Sequence, residues 1–216
     1  MNAVQRILIS TAATASCALA ADTTPLDRYL DGLTSLRAQF SQTLVDSHER
    51  VVDRSSGTLL VLRPGRFRWE VWPQSAKGVK AGNAQLLVAD GRNVWFYDRE
   101  LEQVTVKPEN AALSSTPAML LSGVGGDVRR NFALSEAPPR DGLQWVLVEP
   151  KTADSDFQRA LMGFSQGQLK RMIIDDRLGQ TATVAFDTIA RNGAVQEGEV
   201  SFTPPQGVDV IGAPAP

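Results

Sequence analysis

The chain is nearly without the side chains on which most enzyme and metal chemistry depends. Of its 216 residues one is cysteine, Cys17, and one is histidine, His48. Cys17 lies in the first twenty residues, treated below as a segment apart. The remainder then offers no thiol for a disulfide or a Cys-ligated metal. His48 sits in a polar stretch, Asp46–Arg54, that reads as a turn. The usual nucleophile–base pairs and His/Cys metal clusters therefore cannot be assembled. Neither sign of charge dominates, with 22 Lys and Arg against 24 Asp and Glu. Only Arg6 falls in the first twenty residues, so the rest carries 21 against 24, a net charge of −3. Nucleic acid or an anionic membrane held by bulk charge is a poor match. Gly123-Val124-Gly125-Gly126-Asp127 is glycine-rich but lacks the Lys and Ser/Thr of a phosphate loop, and reads as a connection. A carboxylate-only hydrolase would have to rest on Asp154, Asp156 or Asp175. Asp175-Asp176 would point to opposite faces of a strand, which suits a turn better than a dyad. The expectation is no enzyme, no cofactor and no metal.

Long apolar runs are also missing after the first twenty residues, but that opening segment is distinctive. Arg6 is followed by the uncharged run Ile7–Ala20, ending in Ala18-Leu19-Ala20, which fits the small-x-small cleavage rule. The expectation is a secretory signal peptide over residues 1–20 and a single soluble, exported domain over 21–216. Cys17 offers a lipidation site instead, but Thr14 stands where a lipoprotein signal usually carries Leu. Simple cleavage after Ala20 is the better match.

What is present is a long series of strand patterns. Thr24-Pro25-Leu26-Asp27 is a capped helix start, with Leu26, Tyr29, Leu30, Leu33, Leu36 and Phe40 at helical spacing. This predicts a helix ending near Leu36 and a strand over Ala38–Val45. The stretch Leu60–Pro73, LVLRPGRFRWEVWP, breaks at Pro64-Gly65 and then alternates strictly. Phe67, Trp69 and Val71 fall on one face, and Arg66, Arg68 and Glu70 on the other. Further strands are expected from Ala84–Ala89 through Thr181–Ala190 to Gly198–Thr203, with turns at Asp90-Gly91, Asp175–Gly179 and Asn192-Gly193. No helix is long enough for a parallel crossover, so about eleven antiparallel strands are expected in a curved or barrel-like sheet. A second short helix is predicted where Thr116 caps, Pro117 opens and Gly123 closes, with Met119, Leu120 and Leu121 apolar on more than one face.

These stretches carry a resemblance. Ala38-Gln39-Phe40-Ser41-Gln42, RPGRFRW at the end of Gly57–Trp69, QLLVADGRNVWFY over Gln85–Tyr97, TPAMLL over Thr116–Leu121 and FTPPQGV over Phe202–Val208 run in the order seen in LolA. That family comprises the periplasmic carriers of outer-membrane lipoproteins. The resemblance covers nearly all of residues 21–216, and departs at an insertion, Ser75–Ala84. It implies a mainly β fold: an incomplete, strongly curved antiparallel barrel, with short helices as a lid over an apolar cavity. It also implies a monomer without enzyme activity, fed by an inner-membrane LolCDE-type ABC transporter and emptied by an outer-membrane LolB-type receptor. Arg63 matches the family's gating arginine, and is expected to donate to carbonyls around Leu120–Ser122 and latch the lid. Phe40, Phe67, Trp69, Met119, Leu120 and Leu121 match cavity or rim positions, and Leu30, Leu33, Thr116 and Pro117 the lid helices. A LolB-like acceptor would need a lipidated Cys17, and a paralogue carrying another envelope lipid would share the fold.

Overall fold

In the computed structural model, residues 23–74, 84–109, 117–123, 128–153, 155 and 157–215 are described. Helix α1 (Pro25–Leu30) leads into β1 (Ser35–Val45), β2 (Val51–Leu62), β3 (Arg66–Pro73), β4 (Gln85–Asp90), β5 (Asn93–Asp98) and β6 (Gln103–Pro108). Helices α2 (Pro117–Ser122) and α3 (Val128–Asn131) follow. Then come β7 (Phe132–Arg140), β8 (Leu143–Pro150), β9 (Phe157–Ser165), β10 (Gln168–Asp176) and β11 (Thr181–Arg191), a 3-10 turn at Glu197–Val200, and β12 (Asp209–Ile211).

The expectation of a mainly β fold with short helices holds, but the strongly curved barrel does not. The strands form one open sheet of twelve in the order β12-β6-β5-β4-β3-β2-β1-β11-β10-β9-β8-β7. Its edges, β12 and β7, are not joined, and the sheet is neither closed nor strongly curled. Closure needs a ladder between the two end strands. Here β6 takes a short parallel partner, β12, with Val210 opposite Val104. All the other ladders are antiparallel meander pairs except β1–β11, which joins the two halves.

Local chemistry explains several departures from the sequence pattern. The expected capping box at Thr24 and Asp27 is present, with Asp27 N–H donating to Thr24 Oγ1. The helix ends at Leu30 rather than near Leu36, because Gly32 takes φ +62 and turns the chain. Leu36, Ala38 and Phe40 then face the core at strand spacing, a period of two that the helical pattern had concealed. The strand expected at Gly198–Thr203 is instead the 3-10 turn and an extended tail. Glu197 and Glu199 of that turn pair with Arg66 and Arg37 at 2.6 and 2.8 Å. The Asn192-Gly193 signal does not make a hairpin, since Asn192 is engaged by the loop before β1.

The two faces of the sheet bury different things. One face carries the main core, with Phe40, Phe67, Val146, Met162, Phe164 and Val184 all buried under α1 and α2. On the other, Leu86, Val88, Trp95, Val104 and Val106 form a smaller cluster that packs Phe202 and Val208 of the tail. Asn93 then fixes the end of that tail, its Oδ1 accepting from Ala215 N–H at 2.7 Å.

Candidate functional site

Helices α1 and α2 lie over the same apolar cluster, and the structure gathers most of the sequence-predicted positions there. Phe40, Phe67, Met119, Leu120, Leu121 and Leu33 are buried members, with Leu30 and Trp69 packed against it part-exposed. The Phe40 ring lies 4.6 Å from that of Trp69 and 6.3 Å from Phe186. Gly57 makes this possible, since a Cβ there would collide with both the Phe40 ring and the Glu70 carbonyl. Pro117 opens α2 as expected. Thr116, the first twenty residues, Ser75–Asn83, the Val124–Asp127 connection, Asp154 and Asp156 lie outside the described residues. What the helices cover is a packed apolar surface with little directional chemistry.

Arg63 stands where β2 ends and the chain turns into β3. Its backbone N–H donates to Thr34 O at 2.8 Å, which ties the turn to the loop before β1. Its guanidinium reaches Leu30 O of α1, with Nη1 at 3.0 Å. The partner is thus the carbonyl end of α1 rather than the expected Leu120–Ser122 carbonyls. The turn meets α2 in a different way, through Gly65 N–H, which donates to Ser122 O at 2.9 Å. The guanidinium also lies flat against Gly123, whose added Cβ would stand 2.8 Å from Nη2 and 3.0 Å from Nε. Gly123 takes φ +74, so it both ends α2 and leaves room for the arginine. Partial burial lowers the Arg63 guanidinium from its ordinary value, as desolvation does to any cation.

Sequence reasoning missed the other groups that hold α1. Arg129 of α3 clasps Asp27, with Nε and Nη2 at 3.0 and 2.5 Å from the two carboxylate oxygens. Burial by itself pushes the Asp27 carboxyl up. The hydrogen bonds from Arg129 and Thr24, with the charge of Arg129, outweigh it and hold the group below its ordinary value. At the other end Arg191 donates through Nη2 to Tyr29 O at 2.9 Å and also to Asp31 O. Its guanidinium stands 5.4 Å from the Tyr29 ring centroid. Tyr29 is 2% exposed and packs on Phe164 at 5.5 Å, and its hydroxyl has no hydrogen-bond partner among the described residues. Burial pushes that hydroxyl up to about 12, against the opposing pull of Arg191. The only signal for Tyr29 was its place on the apolar stripe. For Arg191, whose partners lie 160 and 162 residues away, there was none.

Asp175-Asp176, read from the sequence as a turn rather than a dyad, ends β10 and leads into the β10–β11 turn. Asp175 is paired with Arg159 at 2.6 Å, and Asp176 accepts from Leu178 N–H and Gln180 N–H to shape the β10–β11 turn. Both carboxylates are taken up by structure.

The chain was compared with known proteins. The model of a family described as outer membrane lipoprotein carrier protein LolA matches residues 31–203. An outer-membrane lipoprotein carrier protein of Dechloromonas aromatica (strain RCB) is 41% identical over 214 residues, covering 98% of this chain and 99% of that one. One from Xanthomonas oryzae pv. oryzae (strain MAFF 311018) is 39% identical over 206 residues, covering 95% of each chain. One from Nitrosospira multiformis is 37% identical over 187 residues and covers 86% of each.

Proposed function

This chain belongs to the LolA family of outer-membrane lipoprotein carriers, and on that premise we propose how its two helices and Arg63 handle the cargo. The protein is a periplasmic chaperone that carries lipoproteins between the two membranes. It is not an enzyme. Exposing an acyl chain to water costs about 0.8 kcal/mol per methylene, so a sixteen-carbon chain represents roughly 12 kcal/mol. Free diffusion of a lipoprotein across the periplasm is therefore prohibited, and a carrier must cover the chains.

The observation that carries the proposal is the seating of α1 and α2 over one apolar cluster, with Arg63 between them. In our reading this is the closed state. Loading lifts the helices, and acyl chains replace them against Phe40, Phe67 and Trp69, while Met119, Leu120 and Leu121 turn to the cargo. Leu30 and Leu33 move with α1, and Pro117 begins the second lid helix. Arg63 is the latch between the two states. Contacts of this apolar kind exchange helix for acyl chain with little directional preference, which suits a protein that must also let go.

The cargo comes from a LolCDE-type transporter in the inner membrane and leaves to a LolB-type receptor in the outer membrane. Residues 1–20 direct export and are removed. The test is to mix the purified protein with inner-membrane vesicles loaded with a labelled lipoprotein. ATP-dependent appearance of a soluble one-to-one complex supports the reading. A protein that binds lipid but leaves the lipoprotein on the vesicles overturns it in favour of a carrier for another envelope lipid.

A further inference from the structure

The loop between α1 and β1 is flanked by the ends of two strands. Both β2 and β11 run antiparallel to β1, with Leu62 opposite Ser35 on one side and Arg191 opposite Leu36 on the other. Each delivers an arginine to the same place. Arg63 follows the last residue of β2, and Arg191 is the last residue of β11. Between them they occupy three consecutive carbonyls at the end of α1, with Arg191 on Tyr29 O and Asp31 O and Arg63 on Leu30 O. Leu30 O also accepts from Leu33 N–H at 3.2 Å, and all three carbonyls lie at the helix's C-terminal end, where a cation is favoured.

The two arginines differ in what else they touch. Arg63 lies against Gly123 as well, so it is shared between α1 and α2. Arg191 is stacked on Tyr29 and bonded to α1 carbonyls, while its own Nε is buried with no hydrogen-bond partner among the described residues. The Tyr29 hydroxyl is a second buried donor without a partner among the described residues. An unpaired buried donor destabilises the state that buries it, and the penalty vanishes once water reaches the group. Seating α1 therefore makes bonds and orphans donors at one site.

We propose that Arg191 is a second latch, specific to α1, whose hold is weakened by the two orphaned donors beneath the helix. It is a positioning residue and rests on the reading of α1 as part of the lid. Opening then takes two separable steps. Arg63 governs both helices together, and Arg191 governs α1 by itself.

Amide hydrogen exchange on the purified protein tests this. The probes are the α1-end amides of Arg28, Asp31 and Leu33, which are bonded within this segment. The β1–β2 ladder serves as the internal reference. In Arg191→Gln the α1 amides exchange at least tenfold faster while the ladder is unchanged. Arg63→Leu accelerates α1 and the Gly123 amide together. Arg191→Lys keeps the charge but not the planar fork that reaches two carbonyls, so it also accelerates α1. If Arg191→Gln does not fold, the Lys variant decides. Tyr29→Phe removes one orphaned donor and slows α1 exchange.

Exchange of α1 within twofold of the parent in both Arg191 variants overturns the proposal. Acceleration spread equally over α1 and the ladder does so too, because it makes Arg191 a general structural residue. The carrier reading is judged apart from this, by lipoprotein release from vesicles. Failure there with α1 selectively loosened removes the cargo interpretation and leaves the latch.

Discussion

The two helices over the core are held by different mixtures of force. Helix α1 adds to its buried Leu26 and Tyr29 a set of directional polar contacts: a capping box, the Arg129 clasp on Asp27, and two arginines on its terminal carbonyls. Helix α2 has no acidic residue in its first turn and no basic residue in its last, and it is seated by the burial of Met119, Leu120 and Leu121. An apolar seat is insensitive to pH and salt, and an acyl chain can take over its contacts one for one. A polar seat must be broken bond by bond, but each bond can be opened by a change elsewhere. In the proposed cycle α2 sets how well a lipid competes, and α1 sets when it is allowed to.

The comparison can be broken most severely on the α2 side. Leu121 is fully buried, so Leu121→Ala is expected to lower stability by about 3 kcal/mol, read from urea unfolding. A loss below about 1 kcal/mol would mean that α2 is not seated by burial. Next is Arg63→Leu, which leaves Leu30 O with only the Leu33 N–H as donor and removes the side chain shared by the two helices. A loss of about 1–2 kcal/mol is expected, with more dye reaching the core and poorer hand-off of lipoprotein. Unchanged dye access and hand-off would remove Arg63 from the mechanism.

On the α1 side Thr24→Ala deletes the cap and is expected to cost about 1 kcal/mol, with the change confined to α1 amides. The smallest effect concerns acid. The Asp27 carboxyl is held below its ordinary value, so its contribution is complete above the ordinary carboxylate range. It fades as pH falls through the lowered value of the folded protein. Exchange of α1 amides relative to their intrinsic rate at each pH should therefore be level from neutrality to mild acid and rise only below that range. Asp27→Asn should abolish the rise, and a rise that persists in that variant points to another carboxyl.

How much of this was legible beforehand depended on whether the cause was local. The start of α1 was readable, because Thr24, Pro25 and Asp27 act within one turn. So was the face of β3, where alternation alone sends Phe67 and Trp69 inward. The end of α1 was not, since Leu36 and Phe40 satisfy a helical spacing and, with Ala38 between them, a strand spacing equally. The tail was misread for a tertiary reason. Phe202 looks like a strand residue but is held by packing on Trp95 and Tyr97 at 5.7 and 5.9 Å. Arg63 could be singled out by its neighbours in sequence, whereas Arg191 acquires its role only when β11 is laid beside β1. Openness of the sheet is the most distant property of all, because it depends on whether the last strands find each other.

That openness has a consequence for self-association. An open sheet ends in two rows of backbone groups able to template another chain. One end is β7, which carries Pro138 and Pro139 without N–H groups, loses register between Ala137 and Arg140, and exposes Glu136 and Arg140. The other end is β12, only three residues long and led by Asp209. Neither offers a long, flat, uninterrupted edge, so copies have no easy route to join into a ribbon. Polymerisation is guarded against at the borders of the sheet, which leaves its apolar face free to be as sticky as its cargo requires.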